Sequence, residues 1–165
     1  MTNVLSQQIN PGICRKTPLN VVYTPLNGTG NKPVRDILNR IGVARVTVVP
    51  EQELPDGNFP TAPYPNPEIR QAFACALKLA ETVQPDLLLA TDPDCDRVGI
   101  AVKNADDYTL MSGNEVGCLL LDYILSCRTA QGTLPAQPVV VKTIVTTPLA
   151  ERIAEKYNCT LVDVL

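Results

Sequence analysis

Asp92-Pro93-Asp94-Cys95-Asp96-Arg97 follows directly on Asp86-Leu87-Leu88-Leu89-Ala90-Thr91, and the junction of these two stretches decides how the chain is read. The first stretch is apolar from Leu87 to Ala90, as in a strand buried on both faces. The second sets three carboxylates on alternate residues of a loop leaving that strand's carboxyl end, where ligands of α/β sheets tend to bind. Three like charges this close repel unless a cation joins them. An all-oxygen donor set selects a hard cation, Mg2+ or a relative. Arg97, beside the trio, has the fork geometry to hold a phosphate oxygen. The plain alternative is an acidic surface turn. A calcium loop of the EF-hand kind is excluded, because it needs Gly at its sixth position and Glu at its twelfth, where Arg97 and Lys103 stand.

Outward from this loop, strand-like and helix-like patterns alternate. Leu19 to Thr24, Arg45 to Val49, Val98 to Lys103, Pro138 to Ile144 and Cys159 to Val164 read as further strands. Lys32 to Ile41 reads as a helix closed by Gly42. Asn66-Pro67-Glu68 reads as the start of another, which places Ile69, Phe73, Ala76 and Ala80 on one face. Ser112 and Glu115 have the spacing of a capping box. The helix they open carries Val116, Leu119, Leu120, Tyr123 and Cys127, a stripe expected in the core. Thr147-Pro148 opens the last helix. The alternation predicts an α/β fold, a mixed or mostly parallel sheet with helices on both faces. Pro25 to Gly30 (PLNGTG) is a tight strand-to-helix turn whose Asn and Gly residues tolerate positive φ. It departs from both the P-loop and the dinucleotide fingerprint. Pro50 to Asn66 is a Pro-rich loop of a length that signals a task in a compact unit. Residues 1–16 read as a lead-in segment, and the polar turn Asn104 to Asp107 as a domain boundary.

Composition narrows the chemistry. The chain has 165 residues and no histidine, which removes His-dependent nucleophile activation, His proton shuttles and most zinc sites. Hydrophobic residues make up 45% but aromatics only 4%, so the core is aliphatic. A net charge of −3 argues against nucleic acid as a partner. No apolar run reaches membrane-spanning length, so no membrane association is expected and the reading is cytoplasmic. The six cysteines form no C-x-x-C pair and read as free thiols, structural or incidental.

These residues also carry a resemblance. Thr91 to Val102 (TDPDCDRVGIAV) resembles the metal-binding loop of the α-D-phosphohexomutase superfamily, the phosphoglucomutases and phosphomannomutases. Thr24 to Gly30 (TPLNGTG) looks like that family's T-P-L-H-G-x-G turn. Asp56 to Glu68 (DGNFPTAPYPNPE) is similar to its F-P-T-x-x-x-P-N-P-E segment. Leu110 to Leu121 and Val140 to Thr147 resemble the opening of the family's next domain. The matches arrive in family order.

The resemblance implies a phosphoglucomutase-like middle domain. Residues 17–104 would be the second, metal-binding domain and 105–165 a truncated third. It implies a Mg2+ site of Asp92, Asp94 and Asp96, with Arg97 near a phosphate. The phosphoserine completing the site would lie outside this chain, which would itself hold no catalytic residue. The parent would be an isomerase, an intramolecular phosphotransferase interconverting hexose 1- and 6-phosphates. Three departures bear on that: no T-A-S-H-N phosphoserine loop, no G-E-x-S-G-H sugar loop, and Asn27 where the family has His. The expectation is therefore a fragment inactive by itself, whose truncated part either packs on the first domain or pairs with another chain, a route to self-association. The alternatives are a Mg-dependent phosphatase-like enzyme with an Asp nucleophile and a non-catalytic α/β binding module.

Overall fold

The chain is described by a computed structural model covering residues 1–105 and 107–165. It divides into two units, Met1–Met111 and Ser112–Leu165.

The first unit opens with two short helices, α1 (Thr2–Leu5) and α2 (Ile13–Lys16). The segment expected as a lead-in is tied to the body of this unit. The Arg15 side chain lies so close to Gly42 that a Cβ there would meet its Cγ at 2.4 Å. Then come β1 (Asn20–Thr24), α3 (Asn31–Ile41), β2 (Arg45–Val48), a 3-10 turn at Pro50–Gln52, a second at Arg70–Phe73 and α4 (Ala74–Val83). β3 (Leu87–Thr91), β4 (Val98–Asn104) and β5 (Asp107–Met111) complete it. The sheet order is β2-β1-β3-β4-β5. The β1/β2 and β1/β3 pairs are parallel, while β3/β4 and β4/β5 are antiparallel, so the expected α/β sheet is a mixed one.

β1 is the centre of the core. Val22, paired with Leu88, lies with Ala90, Phe73, Ala76 and Ala80 in one apolar cluster. On the opposite face Val21 and Tyr23 are buried as well, so this strand is covered on both sides. α3 ends as its sequence indicates, with Gly42 in the left-handed region (φ 91°). α4 does not begin where its cap signal stood. Asn66 accepts a hydrogen bond from Glu68 N (2.9 Å), but the turn it closes is not continued: Ile69 is extended, and helix starts only at Arg70. Pro67 is buried and its carbonyl lies against Gly99 of β4, which fixes the Pro-rich segment to the sheet before the helix forms.

β4 and β5 form a hairpin paired from Asn104↔Asp107 to Ile100↔Met111, so the polar turn lies inside the first unit and the division falls at Met111/Ser112. Asp106 lies outside the described residues.

Tyr23 gives the first unit an alkaline limit. Its buried hydroxyl shares a 2.9 Å hydrogen bond with Thr91 Oγ1. Burial pushes the phenol up to about 12; the Thr91 hydrogen bond pulls it down, and charge at Cys95 pushes it up. A folded pKa above the unfolded value favours the protonated form. That stabilisation is therefore whole below about pH 10. It is lost as pH rises towards 12. Denaturant titrations at pH 9, 10 and 11 are expected to show Tyr23→Phe about 1 kcal/mol less stable at pH 9, from the lost hydrogen bond, with a flatter alkaline decline than the parent chain. Equal slopes would remove Tyr23 as the cause.

The second unit holds α5 (Gly113–Ala130), β6 (Val139–Thr143), α6 (Leu149–Lys156) and β7 (Thr160–Val164), with β6 and β7 parallel. The capping box forms: Glu115 N donates to Ser112 Oγ (3.3 Å) and Ser112 N to Glu115 Oε2 (2.7 Å). Asp122 of α5 accepts from Lys156 Nζ (3.0 Å) and Tyr157 Oη (2.9 Å). The expected core stripe is a correction. Leu119, Leu120 and Tyr123 are 57%, 53% and 40% exposed, whereas Cys118 and Leu125 are buried, as are Ala150 and Ala154 of α6. Helical spacing alone cannot tell which of two apolar stripes has a partner. Among the described residues none of the six cysteines is in a disulfide.

Candidate metal centre

Because β1, β2 and β3 run parallel, the segments leaving their carboxyl ends lie side by side. They are the 25–30 turn, the Pro-rich segment from Pro50, and the acidic loop 92–97. The acidic loop is also the hairpin connection from β3 to β4, closed by Asp92 N donating to Arg97 O (3.3 Å) and Cys95 N to Asp92 O (3.0 Å). Cys95 takes the left-handed conformation (φ 65°) that this turn requires.

The alternation Asp-x-Asp-x-Asp brings the three carboxylates together. Asp92, Asp94 and Asp96 each offer one oxygen, and these oxygens all lie within 4.8 Å of one another. Asp92 is 1% exposed, while Asp94 and Asp96 are on the surface. Arg97 is anchored on Asp92 while its side chain stays 54% exposed. Its backbone N donates to Asp92 Oδ1 (2.9 Å) and its Nε to Asp92 Oδ2 (2.9 Å), with Asp96 Oδ1 at 3.7 Å.

These contacts explain how Asp92 and Asp96 titrate. Burial pushes the Asp92 carboxyl up. The Arg97 backbone and side-chain hydrogen bonds, with those to Asp96 and Asp94, outweigh burial and hold it below its ordinary value. Asp96 moves the other way, raised first by its hydrogen bond with Asp92 and then by the charges of Asp94 and Asp92. Crowding of this kind is what a divalent cation relieves.

The donor set fits such an ion. The three groups supply only oxygens, and each Asp92 oxygen keeps a lone pair beyond the one given to Arg97. A cation held there would take one oxygen from each of Asp92, Asp94 and Asp96.

Two residues around the loop were not legible as such. Gln52 is fully buried: its Oε1 accepts from Thr24 Oγ1 (2.7 Å), its Nε2 donates to Thr61 Oγ1 (3.0 Å), and its carbonyl accepts from Asn27 N (2.9 Å). Nothing local marks a loop glutamine as a buried junction. Asn27, at φ 56°, donates through Nδ2 to Leu54 O (2.9 Å) and Glu51 O (3.3 Å), and its buried Oδ1 has no partner among the described residues. The positive φ expected of the turn falls on Leu26 and Asn27, not on Gly28 or Gly30. The glycines serve close approach instead. A Cβ on Gly28 would lie 2.3 Å from Pro93 Cα, and one on Gly30 2.7 Å from Thr91 Oγ1.

Comparison with known proteins gives a consistent result. Residues 2–105 match the family model described as phosphoglucomutase/phosphomannomutase, alpha/beta/alpha domain II. The chain is 38% identical over 146 residues to a phosphoglucomutase of Staphylococcus saprophyticus, covering 88% of this chain and 26% of that protein. It is 31% identical over 150 residues to a phosphomannomutase of Mycoplasmoides pirum, covering 91% of this chain and 27% of that one. In fold it is similar to a crystal structure of a phosphoglucomutase/phosphomannomutase family protein from Burkholderia thailandensis. The TM-score is 0.70 at 18% identity, over 97% of this chain and 32% of that one. The chain thus spans about a quarter of the length of the curated relatives it matches.

Proposed function

Because the chain belongs to the phosphoglucomutase/phosphomannomutase family, we propose that its acidic loop is the Mg2+ seat of an enzyme that moves a phosphoryl group between positions of a hexose phosphate. The observation that carries this reading is the convergence of Asp92, Asp94 and Asp96 at the carboxyl end of the central parallel strands. In such a site the metal compensates charge on the phosphoryl group in transfer.

The residues divide the work. Asp92, buried and held at both oxygens by Arg97, is the fixed member. Asp94 and Asp96, on the surface, are the adjustable ones. Arg97, bonded to Asp92 through Nε and 54% exposed, would offer its remaining guanidinium N–H groups to a phosphate oxygen. No side chain of this chain is assigned as nucleophile or proton donor, and the phosphoserine is placed elsewhere in the parent. Residues 17–104 are assigned to the family's second domain and the remainder to the start of its third, with the structural division at Met111/Ser112. The parent is read as a cytoplasmic isomerase. Among the described residues no helix is long and apolar enough to cross a membrane. The exposed face of α5 supports self-association of the second unit.

The test is a calorimetric Mg2+ titration of the purified chain, paired with an assay of glucose 1-phosphate to glucose 6-phosphate conversion. A weak one-to-one site and no conversion are expected. A flat titration would overturn the metal reading. Conversion proportional to chain concentration would overturn the assignment of the chemistry to other parts of the parent.

A further inference from the structure

The turn after β1 offers no carboxylate, yet three of its successive residues meet the acidic loop. Gly28 lies against Pro93, and Gly30 against Thr91 and Cys95. Between them Thr29 donates twice to one acceptor, the Pro93 carbonyl, from its backbone N (2.8 Å) and from Oγ1 (3.1 Å). Pro93 stands between the first two carboxylates. Its carbonyl belongs to the peptide that leads into Asp94, so fixing that oxygen fixes where the Asp94 backbone starts. The turn is itself held. Asn27 N donates to Gln52 O (2.9 Å), Gly28 N to Pro25 O (2.9 Å), and the Asn27 amide to the carbonyls of Glu51 and Leu54.

We propose that Thr29 is a positioning residue for the metal seat: by gripping the Pro93 carbonyl it sets the separation of Asp92 and Asp94 that a six-coordinate cation requires. This rests on the metal reading above. Partners behind a metal ligand typically change affinity by about 10- to 100-fold when removed. Thr29 keeps its backbone bond in any variant, so the lower end applies. The hydroxyl is on the surface, and its loss is expected to leave the metal-free fold nearly unchanged.

The experiment measures Mn2+ affinity of the full chain by the electron paramagnetic resonance of free Mn2+, with thermal unfolding of each metal-free variant beside it. Thr29→Val keeps the branched shape and deletes the donor. It is expected to weaken Mn2+ binding by about tenfold with little change in midpoint. Thr29→Ser keeps the donor and is expected to bind as the parent does. Thr29→Ala carries the same expectation as the Val variant should Val distort the turn. Parent-like binding by Thr29→Val or Thr29→Ala, or a Ser variant as weak as these, would overturn the role of Thr29 while leaving the metal site standing. A parent chain that binds no Mn2+ would remove both.

Discussion

Asp94→Asn is expected to weaken divalent-cation binding by at least about 100-fold, more than any partner behind the ligands, and to leave the metal-free protein as stable as before or slightly more so. Asp94 is a surface residue whose negative charge helps raise Asp96, so its neutralisation relieves repulsion within the trio. Asp92→Asn makes the contrast. It also removes a ligand, but Asp92 is buried and takes an N–H at each oxygen. An amide there turns one acceptor into a donor facing a donor, at a cost of about 1–3 kcal/mol. Calorimetric titration and denaturant unfolding of the two variants separate these roles. If Asp94→Asn binds Mg2+ as tightly as the parent, the carboxylates do not act as one set.

Gly99→Ala carries the largest expected loss of stability. A Cβ at position 99 would lie 2.0 Å from the Pro67 carbonyl oxygen and 2.7 Å from its carbon. Both are backbone atoms of a buried residue, so no side chain can swing away. Either β4 or the Pro-rich segment must shift, at a cost of about 3 kcal/mol, the upper part of the usual range for overpacking. For a unit of this size that lowers the melting midpoint by on the order of 10 °C. A midpoint within error of the parent would show that the segment 50–69 is not pinned to the sheet there.

These two positions show what could and could not be read from the letters. The acidic trio was legible because electrostatics is local: three carboxylates on alternate residues after an apolar strand constrain their own surroundings. Gly42 and the Ser112–Glu115 box were legible for the same reason, since a helix end is satisfied within one turn. Gly99 and Gly28 were not, because their partners, Pro67 and Pro93, are far away in sequence and nothing near either glycine announces them. The start of α4 was displaced by the same long-range contact. Leu119 and Leu120 were misplaced for a different reason: amphipathicity reports that a face is apolar, not that it is covered. The strand β5 was hidden in Asp107–Met111, whose pattern is too short to stand apart from the turn before it.

Asn27-Gly28 is the kind of dipeptide at which proteins age. In a flexible chain the glycine nitrogen attacks the asparagine side chain, closing a succinimide that reopens largely as isoaspartate. Here that nitrogen donates to Pro25 O, the side-chain amide is clamped by two carbonyls, and the asparagine is locked at φ 56°. The clamp that seats the turn therefore also shields the bond from spontaneous deamidation. The site is protected for as long as the fold persists, and its chemical clock starts when the protein unfolds.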